Sequence, residues 1–215
     1  MFSGFLPLIL TGLLWTVAVS VAALGVGLLL GILLALGELS RSLFIRLPTV
    51  GLTSVLRGLP EIVVLFFCYF GGTILLTAVW GHYVGVNAFV AGVIGLGLIF
   101  AAYAAQVFRG AFYQIPAGQF AAASAIGLSK RQTALKIVLP QVMHHAKPGL
   151  SNLWLTLLKD SSLVSLIGLA DTMNNVGLAA SQTHQPFLFY GLAAVLYLLL
   201  TSVSTYLFER KTRWI

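Results

Sequence analysis

The sequence contains few charged residues, and this shortage decides its class. Only 8% of the 215 residues are charged, whereas 59% are hydrophobic, and the mean hydropathy is +1.00. Roughly a quarter of an ordinary water-soluble domain is charged. A soluble enzyme, a disordered chain and a nucleic-acid-binding domain are therefore excluded, and the chain is predicted to be an integral membrane protein.

Cysteine is nearly absent as well, because Cys68 stands alone, and an intrachain disulfide is excluded. Acidic residues number five against twelve basic ones, which gives a formal net charge of +7. In a membrane protein, basic residues first report topology and contact with anionic lipid headgroups. The positive charge therefore predicts contact with membrane lipid and gives no support to a nucleic-acid partner.

The sequence is rich in long apolar runs, which turn signals divide into five predicted transmembrane helices. A helix needs roughly 20 residues to cross a bilayer. The predicted helices are Leu6 to Leu36, a second helix that ends near Val79, Ala88 to Phe108, Pro148 to Ala170, and Phe187 to Phe208. The polar stretch from Asp171 to Pro186 is predicted to be a loop. We therefore predict an all-α integral membrane fold in which residues 1–215 form one transmembrane domain.

Lysine and arginine mark the cytoplasmic side of a membrane protein. All basic residues except Lys159 fall in the predicted loop between the first and second helices, in the segment between the third and fourth, or at the C-terminus. They are Arg41, Arg46 and Arg57, then Arg109, Lys130, Arg131, Lys136 and Lys147, then Arg210, Lys211 and Arg213. This bias predicts an external N-terminus and a cytoplasmic C-terminus.

The longest predicted cytoplasmic segment, Arg109 to Lys147, begins with a short helix. Pro116 suits the first turn of this helix, and the alanine-rich stretch from Gln119 to Ile126 extends it. Gly127 supplies the residue type that commonly closes a helix, because glycine adopts the left-handed conformation without steric cost. The sequence therefore predicts a helix that ends at about Ile126.

A second helix follows directly in the same segment. Ser129 and Gln132 have the spacing of a capping box, and Pro140 is predicted to end this helix. The resulting helical hairpin is either an interfacial amphipathic element or a docking surface for another protein.

The hairpin resembles the EAA loop of ABC importer permeases, the membrane subunits of ATP-driven transporters. The similar positions are Ala122, Ala123, Gly127, Ile137, Leu139 and Pro140. Ile115, Pro116, Gly118, Gln119, Leu128, Ser129 and Gln141 resemble the polar amino acid branch, which includes histidine, arginine, lysine and ornithine permeases. The resemblance extends to Arg57-Gly58-Leu59-Pro60 and to Leu157 to Ser165 (LLKDSSLVS). One position departs from the pattern, because the glutamate that gives the motif its name is Ala121 here.

The resemblance implies partners for the chain. The coupling loop, about residues 113–140, is expected to dock on an ATP-binding cassette subunit through Gln119, Ala122, Ala123, Gly127, Leu128, Ser129 and Pro140. A second permease subunit is expected, in a homodimer or a heterodimer, together with a periplasmic or lipid-anchored amino acid binding protein. Ala121 implies weaker coupling at this half, or a partner permease subunit that carries the complete motif. The implied location is the bacterial cytoplasmic (inner) membrane.

The chain is not predicted to be an enzyme, because no GxxxxGK[ST] phosphate-binding loop occurs in it. We expect a pore subunit without a cofactor of its own, with ATP and magnesium bound by the partner ATPase. His144 and His145 are adjacent, whereas metal-binding pairs on a helix need i,i+4 spacing. No metal site is therefore predicted.

Two charged residues, Lys159 and Asp160, lie within the fourth predicted helix. On the predicted bounds they are close to mid-membrane, where an unpaired charge costs at least about 2.5 to 3.5 kcal/mol. The resemblance implies that this helix lines the translocation path, which makes Asp160 a candidate for binding a substrate α-ammonium group. Asn152 and Trp154 are further candidates for the lining. The alternative is that Asp160 and Lys159 form ion pairs with other helices.

The second candidate site is the break at Gly58-Leu59-Pro60. The first N–H groups of a helix that starts here lack intrahelical partners and could bind a substrate carboxylate. Glu61 at the same break could attract a cationic side chain, and Arg57 belongs to the same group of residues. The alternative is an i,i+4 ion pair between Arg57 and Glu61 at the cytoplasmic edge. The sequence favours neither interpretation.

The leading functional hypothesis is a permease subunit of an ATP-driven, binding-protein-dependent importer of polar amino acids, with arginine or histidine as expected substrates. Glutamine or another polar amino acid is the alternative substrate. Position 153 is Leu, although a second acidic group there would have marked a cation-binding cavity. The alternative function is an ATP-independent channel or a secondary transporter that uses Asp160 in ion coupling. The sequence leaves open whether this half of the transporter binds substrate at all.

Overall fold

The structure is a computed structural model that describes residues 2–212, with side chains described for residues 4–207. Every regular element in this part of the chain is helical. The helices are α1 (Phe2–Glu38), α2 (Leu43–Gly58), α3 (Glu61–Phe66), α4 (Gly72–Trp80), α5 (Ala88–Tyr113), α6 (Ala117–Ala125), α7 (Lys130–Thr133), α8 (Leu139–Asp160), α9 (Thr172–Thr183) and α10 (Pro186–Thr212). π-Helical turns at Phe67–Gly71 and Ala134–Val138 and a 3-10 turn at Ser161–Ile167 connect neighbouring helices.

The central helix of the fold is α5. Over its 18 most apolar consecutive residues, 61% of the residues are buried, whereas 11% are buried over the equivalent stretch of α10. Small residues allow α1 to approach α5 closely: a Cβ atom on Gly27 would lie 2.7 Å from Phe100 Cδ1, and one on Gly31 would lie 2.9 Å from Ala104 Cβ. The GxxxG pair of α1 therefore serves helix packing.

Four segments are long and apolar enough to cross a membrane, namely Gly4–Glu38, Glu61–Trp80, Ala88–Tyr113 and Pro186–Leu207. A fifth crossing is obtained if the bent pair Lys130–Ile167 and Thr172–Thr183, which meet at 57°, is one span. The count of five and the orientation of the chain stay predictions. Of the C-terminal basic residues used for that orientation, Arg213 lies outside the described residues, and the side chains of Arg210 and Lys211 lie outside the described side chains.

The predicted bounds of the fourth helix are wrong at both ends. α8 begins at Leu139, contains Pro148 and ends at Asp160. Proline is tolerated inside membrane helices because neighbouring helices and local adjustments support the freed backbone groups. The chain next forms the 3-10 turn, which ends at Gly168 in the left-handed region with φ of 87°. Asp160 therefore lies at the end of a helix rather than in its middle.

The predicted polar loop between the last two spans is also wrong, because residues Thr172–Thr183 form α9. Asp171 caps this helix by accepting a hydrogen bond from the Asn174 backbone N–H at 2.9 Å. Asn175 donates from its side chain to the Leu8 carbonyl oxygen at 2.8 Å. The polar side chains of Asp171 and Asn175 thus bond backbone groups of the fold. Their polarity therefore does not indicate a loop in contact with solvent.

The predicted loop after the first span contains a helix as well. α2, Leu43–Gly58, carries Arg46 and Arg57 and leaves large apolar side chains such as Phe44 exposed. Its apolar residues recur at helical spacing on one side, which is typical of an interfacial amphipathic helix. The charged residues of this segment interrupt the apolar runs, and for that reason the sequence pattern favours a loop.

Candidate functional site

Glu61 enters the fold at a break between two helices. α2 ends at Gly58, and Leu59 and Pro60 have ψ angles of 143° and 138°. Glu61 is the first residue of α3. The break predicted from Gly58-Leu59-Pro60 is therefore confirmed, and it places the Glu61 carboxylate beside α5 and α8.

A cavity of about 210 Å³ lies between α3, α5 and α8. Glu61 and Asp160, which come from different helices, both line this cavity. The other lining residues are Leu96, Ile99, Phe100, Tyr103, Leu153, Thr156 and Leu157. Two acidic side chains and no basic one thus meet in largely apolar surroundings, an arrangement suited to a cationic group.

Glu61 and Asp160 are both half-buried, and neither carboxylate forms a hydrogen bond or an ion pair within the described part of the chain. Arg57 Nε donates instead to the Thr53 carbonyl oxygen at 3.2 Å. Lys159 is exposed and points to a groove between α8 and α10. The ion pairs considered as alternatives for Glu61 and Asp160 are thus not formed within the described residues.

Three of the predicted lining residues do not reach the cavity. Arg57 lies on α2, Asn152 is exposed, and Trp154 packs against the hydrophobic core. Asn152 and Trp154 flank Leu153 in the sequence, and successive residues of a helix point about 100° apart. Leu153 lines the cavity, whereas Asn152 and Trp154 lie on either side of the part of α8 that reaches it.

Two polar lining residues were missed by sequence reasoning. Tyr103 comes from the middle of α5, and Thr156 lies one helical turn before Asp160 on α8. The i,i+4 spacing of Thr156 and Asp160 places them on the same face and could have identified Thr156. No local signal identifies Tyr103, because its contribution depends on how α5 packs against α3 and α8.

The hairpin formed by α6 and α7 closes its first helix as predicted. Gly127 has φ of 74°, its backbone N–H donates to the Ser124 carbonyl oxygen at 3.1 Å, and the Leu128 N–H donates to the Ala123 carbonyl oxygen at 3.0 Å. These two bonds are those of a Schellman motif. The capping box is also confirmed, because the Gln132 N–H donates to Ser129 Oγ and the Ser129 N–H donates to Gln132 Oε1, at 3.3 Å and 2.9 Å.

The prediction that Pro140 ends the second helix is wrong. The chain passes from α7 through the π turn Ala134–Val138 into α8, and Pro140 lies in the first turn of α8. A proline has no N–H to donate to the preceding turn, and a π turn is one of the adjustments that accommodate such a defect. The hairpin is therefore continuous with the helix that carries Asp160.

The predicted coupling residues divide into two groups by exposure. Gln119, Ala122, Gly127, Ser129 and Pro140 are exposed, whereas Leu128 is half-buried. Ala123 is only 1% exposed, so it packs inside the hairpin. The exposed small and polar residues are available for contact with another protein, whereas Ala123 packs inside the hairpin and stabilises it.

A family model described as "Binding-protein-dependent transport system inner membrane component" matches residues 27–214. The chain belongs to this family. Like other members, it is a membrane-spanning permease component, and it is a multi-pass protein of the cytoplasmic membrane.

Curated relatives of this permease are similar over nearly their whole length. The arginine ABC transporter permease protein ArtQ of Haemophilus influenzae is 48% identical over 204 residues, which cover 95% of this chain and 91% of the relative. The histidine/lysine/arginine/ornithine transport system permease protein HisQ of Escherichia coli is 36% identical, and the alignment covers 95% and 91% of the two chains.

A solved structure described as an amino acid ABC transporter with histidines has the same fold as this permease. The TM-score is 0.88, the identity is 28%, and the match covers 100% of this chain and 97% of the other. The resemblance to ABC importer permeases is confirmed, and the alternative of an ATP-independent channel or secondary transporter is set aside. Membership of the family implies ATP-binding subunits and a binding protein as partners.

Proposed function

We propose that this permease subunit carries basic amino acids, arginine and histidine among them, across the cytoplasmic membrane. The observation that carries this proposal is the presence of Glu61 and Asp160, without a bonded partner, in one largely apolar cavity. Two carboxylates with no basic neighbour in the lining favour a ligand with more than one positive group. A basic amino acid has two such groups, the α-ammonium and the side chain.

Each carboxylate receives a separate role in the proposal. Asp160, at the end of α8, binds the α-ammonium group. Glu61, at the start of α3, attracts the cationic side chain, and Tyr103 and Thr156 supply polar atoms along the path between them. The relatives named for arginine and for histidine, lysine and ornithine transport support the choice of a basic substrate.

The energy for transport comes from a separate ATP-binding cassette subunit in this proposal. This chain has no ATPase site and binds no cofactor, and its partner binds ATP and magnesium. The exposed side of α6 docks on the ATPase through Gln119 and Ala122, together with Gly127 in the turn that follows. Ser129 caps the second helix of the hairpin. Because the hairpin is continuous with α8, movement of the ATPase is transmitted directly to Asp160.

The complete transporter in the proposal contains two permease subunits and two ATPase copies. A periplasmic or lipid-anchored amino acid binding protein delivers the substrate from outside. The absence of the motif glutamate at Ala121 leaves two arrangements: weak coupling at this half, or a second permease subunit with a complete motif. The chain is co-purified with its partner subunits, and the second permease subunit that it retains is sequenced. This experiment distinguishes a homodimer from a heterodimer.

The proposed substrate is tested by ATP-dependent uptake in proteoliposomes that contain the complete complex and its binding protein. Labelled arginine is the substrate, and unlabelled arginine, histidine, glutamine and glutamate are the competitors. We expect competition by arginine and histidine, and none by glutamate. Equal competition by glutamine would contradict the assignment of a basic substrate, and uptake by the chain without an ATPase would contradict the ATP-driven mechanism.

The docking role of α6 is tested with Ala122→Lys, because a long charged side chain blocks close approach to a groove. The matched control is Ala117→Lys, which changes an exposed alanine of the same helix at a different angle around its axis. We expect Ala122→Lys to insert normally into the membrane but to lose the ATPase during purification. Equal ATPase retention in both variants would refute this docking surface.

A further inference from the structure

We propose that Glu38 is a positioning residue that couples the cytoplasmic hairpin to the membrane cavity. This inference rests on the proposed function, since it requires an ATPase that acts through the hairpin. Glu38 is the last residue of α1 and is far from the cavity in sequence. Its importance follows from the three side chains of α2 and α5 that it bonds at the end of α1.

The Glu38 carboxylate is fully buried, with a side-chain exposure of 0%, and it is also fully engaged. Arg109 Nη1 lies 3.2 Å from Glu38 Oε2. Gln106 Nε2 donates to both carboxylate oxygens, at 2.8 Å and 2.9 Å. Thr53 Oγ1 donates to Glu38 Oε1 at 2.6 Å. One carboxylate therefore connects a residue of α2 with two residues of α5, and we call these four residues the Glu38 node.

The first connection of the Glu38 node leads to the hairpin. Gln106 and Arg109 lie in the last two turns of α5, which ends at Tyr113. Pro116 and the docking helix α6 follow within a few residues. Phe112 of α5 packs against Phe120 of α6, with ring centroids 6.3 Å apart, so a movement of α6 acts on the end of α5 that carries Arg109.

The second connection leads to the cavity. Thr53 lies on α2, which ends five residues later at Gly58, and Glu61 begins α3 just beyond the break. α2 is also held closely to α1 at Gly37, where a Cβ atom would lie 2.7 Å from Thr49 Oγ1. Thr53 is the buried residue of α2, and its bond to Glu38 adds a directional link between α2 and the ends of α1 and α5.

Stability alone does not account for the Glu38 node. Burying a carboxylate costs desolvation free energy, and replacing a buried ion pair with apolar side chains is often neutral or stabilising. Hydrogen bonds to a charged group are directional, however, and fix the relative positions of the elements that donate them. The node therefore suits a site where α1, α2 and α5 must move as one unit.

The first test of this inference uses Thr53→Val and Thr53→Ser in the complete reconstituted complex. Valine has the shape of threonine but lacks the hydroxyl, whereas serine keeps the donor to Glu38. The measurement is the amount of arginine taken up per ATP hydrolysed, at equal complex yield. We expect Thr53→Val to lower this ratio by about fivefold or more, the size of a typical coupling effect, and Thr53→Ser to retain it.

The second test separates coupling from independent effects by a double-mutant cycle of Thr53→Val and Arg109→Gln. If both residues act through Glu38, either variant breaks the same connection, and the double variant should lower the ratio no further than the more severe single variant. Arg46→Gln is the matched control, because it removes a charge from the exposed side of α2, and it should leave the ratio unchanged.

Two results would overturn the inference while leaving the proposed function intact. One is a wild-type ratio of uptake to ATP hydrolysis in Thr53→Val. The other is a strictly multiplicative loss in the double variant, which would show that Thr53 and Arg109 act separately. Absence of ATP-driven arginine uptake in the wild-type complex would instead contradict the proposed function, and the inference with it.

Discussion

Apart from Asp171, which caps α9, the described acidic side chains of the permease lie in two contrasting environments. Glu38 is fully buried and is bonded by Thr53, Gln106 and Arg109. Glu61 and Asp160 are half-buried in the cavity and are bonded by no described residue. The chain therefore provides a complete set of donors for one carboxylate and leaves two others available to a ligand.

This difference separates a structural or positioning role from a binding role. A buried charge without partners is costly, and the donors around Glu38 offset the cost of holding its carboxylate in the interior. A carboxylate that binds a substrate must instead be free before the substrate arrives. The comparison predicts that changes at Glu38 affect stability and coupling, whereas changes at Asp160 and Glu61 affect substrate binding.

The largest expected effect belongs to Asp160→Asn. The substitution preserves shape and removes the charge, so a charge-assisted bond to the α-ammonium group, of about 1.5 to 3 kcal/mol, is lost. Arginine binding should weaken roughly ten- to more than a hundredfold. The measurement is arginine uptake as a function of concentration, with co-purification of the ATPase as the check on assembly. Wild-type uptake would remove Asp160 from the binding site.

Glu38→Ala should have the next largest effect, on stability. It removes the acceptor of the Gln106 amide and the ion-pair partner of Arg109, and leaves the Thr53 hydroxyl only its 3.2 Å bond to the Val50 carbonyl oxygen, at a total cost of about 1 to 3 kcal/mol. The thermal midpoint of the purified complex should fall, whereas Asp160→Ala should leave it nearly unchanged, because no described residue donates to that carboxylate. Equal thermal midpoints for Glu38→Ala and Asp160→Ala would contradict the proposed difference between the two environments.

Glu61→Gln should have a smaller and selective effect. Its proposed partner is the cationic side chain, and a half-exposed ion pair contributes up to about 1 kcal/mol. Arginine uptake should fall by up to about fivefold, while weak residual uptake of neutral amino acids should not change. Competition assays with arginine and glutamine measure this selectivity. An equal loss for both amino acids would contradict the role of Glu61 in recognising the side chain.

The smallest expected effect is that of Tyr103→Phe. The substitution removes one hydroxyl from the cavity and keeps the ring, and because Tyr103 is only half-buried the lost neutral hydrogen bond is worth about 0.5 kcal/mol, the lower end of its usual range. Arginine affinity should fall by roughly twofold without a change in the thermal midpoint. A loss as large as that of Asp160→Asn would mean that Tyr103, rather than the carboxylate, orients the substrate.

Much of the local structure was predictable from the sequence. The Schellman closure at Gly127, the capping box of Ser129 and Gln132, and the break at Gly58 to Pro60 are all present in the structure. These features depend on residues within five positions of one another, so the sequence pattern contains all the interacting groups. The same reasoning failed at Pro140 and in the stretch that forms α9, where support from neighbouring helices overrides the local signals.

The candidate site was predictable only in part. Asp160 and Glu61 stood out because charges are rare in apolar segments, and the structure places both at one cavity. Asn152 and Trp154 were predicted to share that lining but point elsewhere, since the face of α8 that reaches the cavity depends on its rotation against α5. Tyr103 gave no signal in the sequence for the same reason.

The sequence by itself determined the class of the protein and its relationship to ABC importer permeases, because hydropathy, charge bias and short motifs are local properties of the chain. Only the tertiary structure decided which acidic groups are engaged and which are free. Glu38 and Gln106 are 68 positions apart in sequence, and their hydrogen bond exists because α1 packs along α5 through glycine and alanine contacts. Pairing between helices depends on their relative rotation and depth, and the chain acquires these only when its helices pack together.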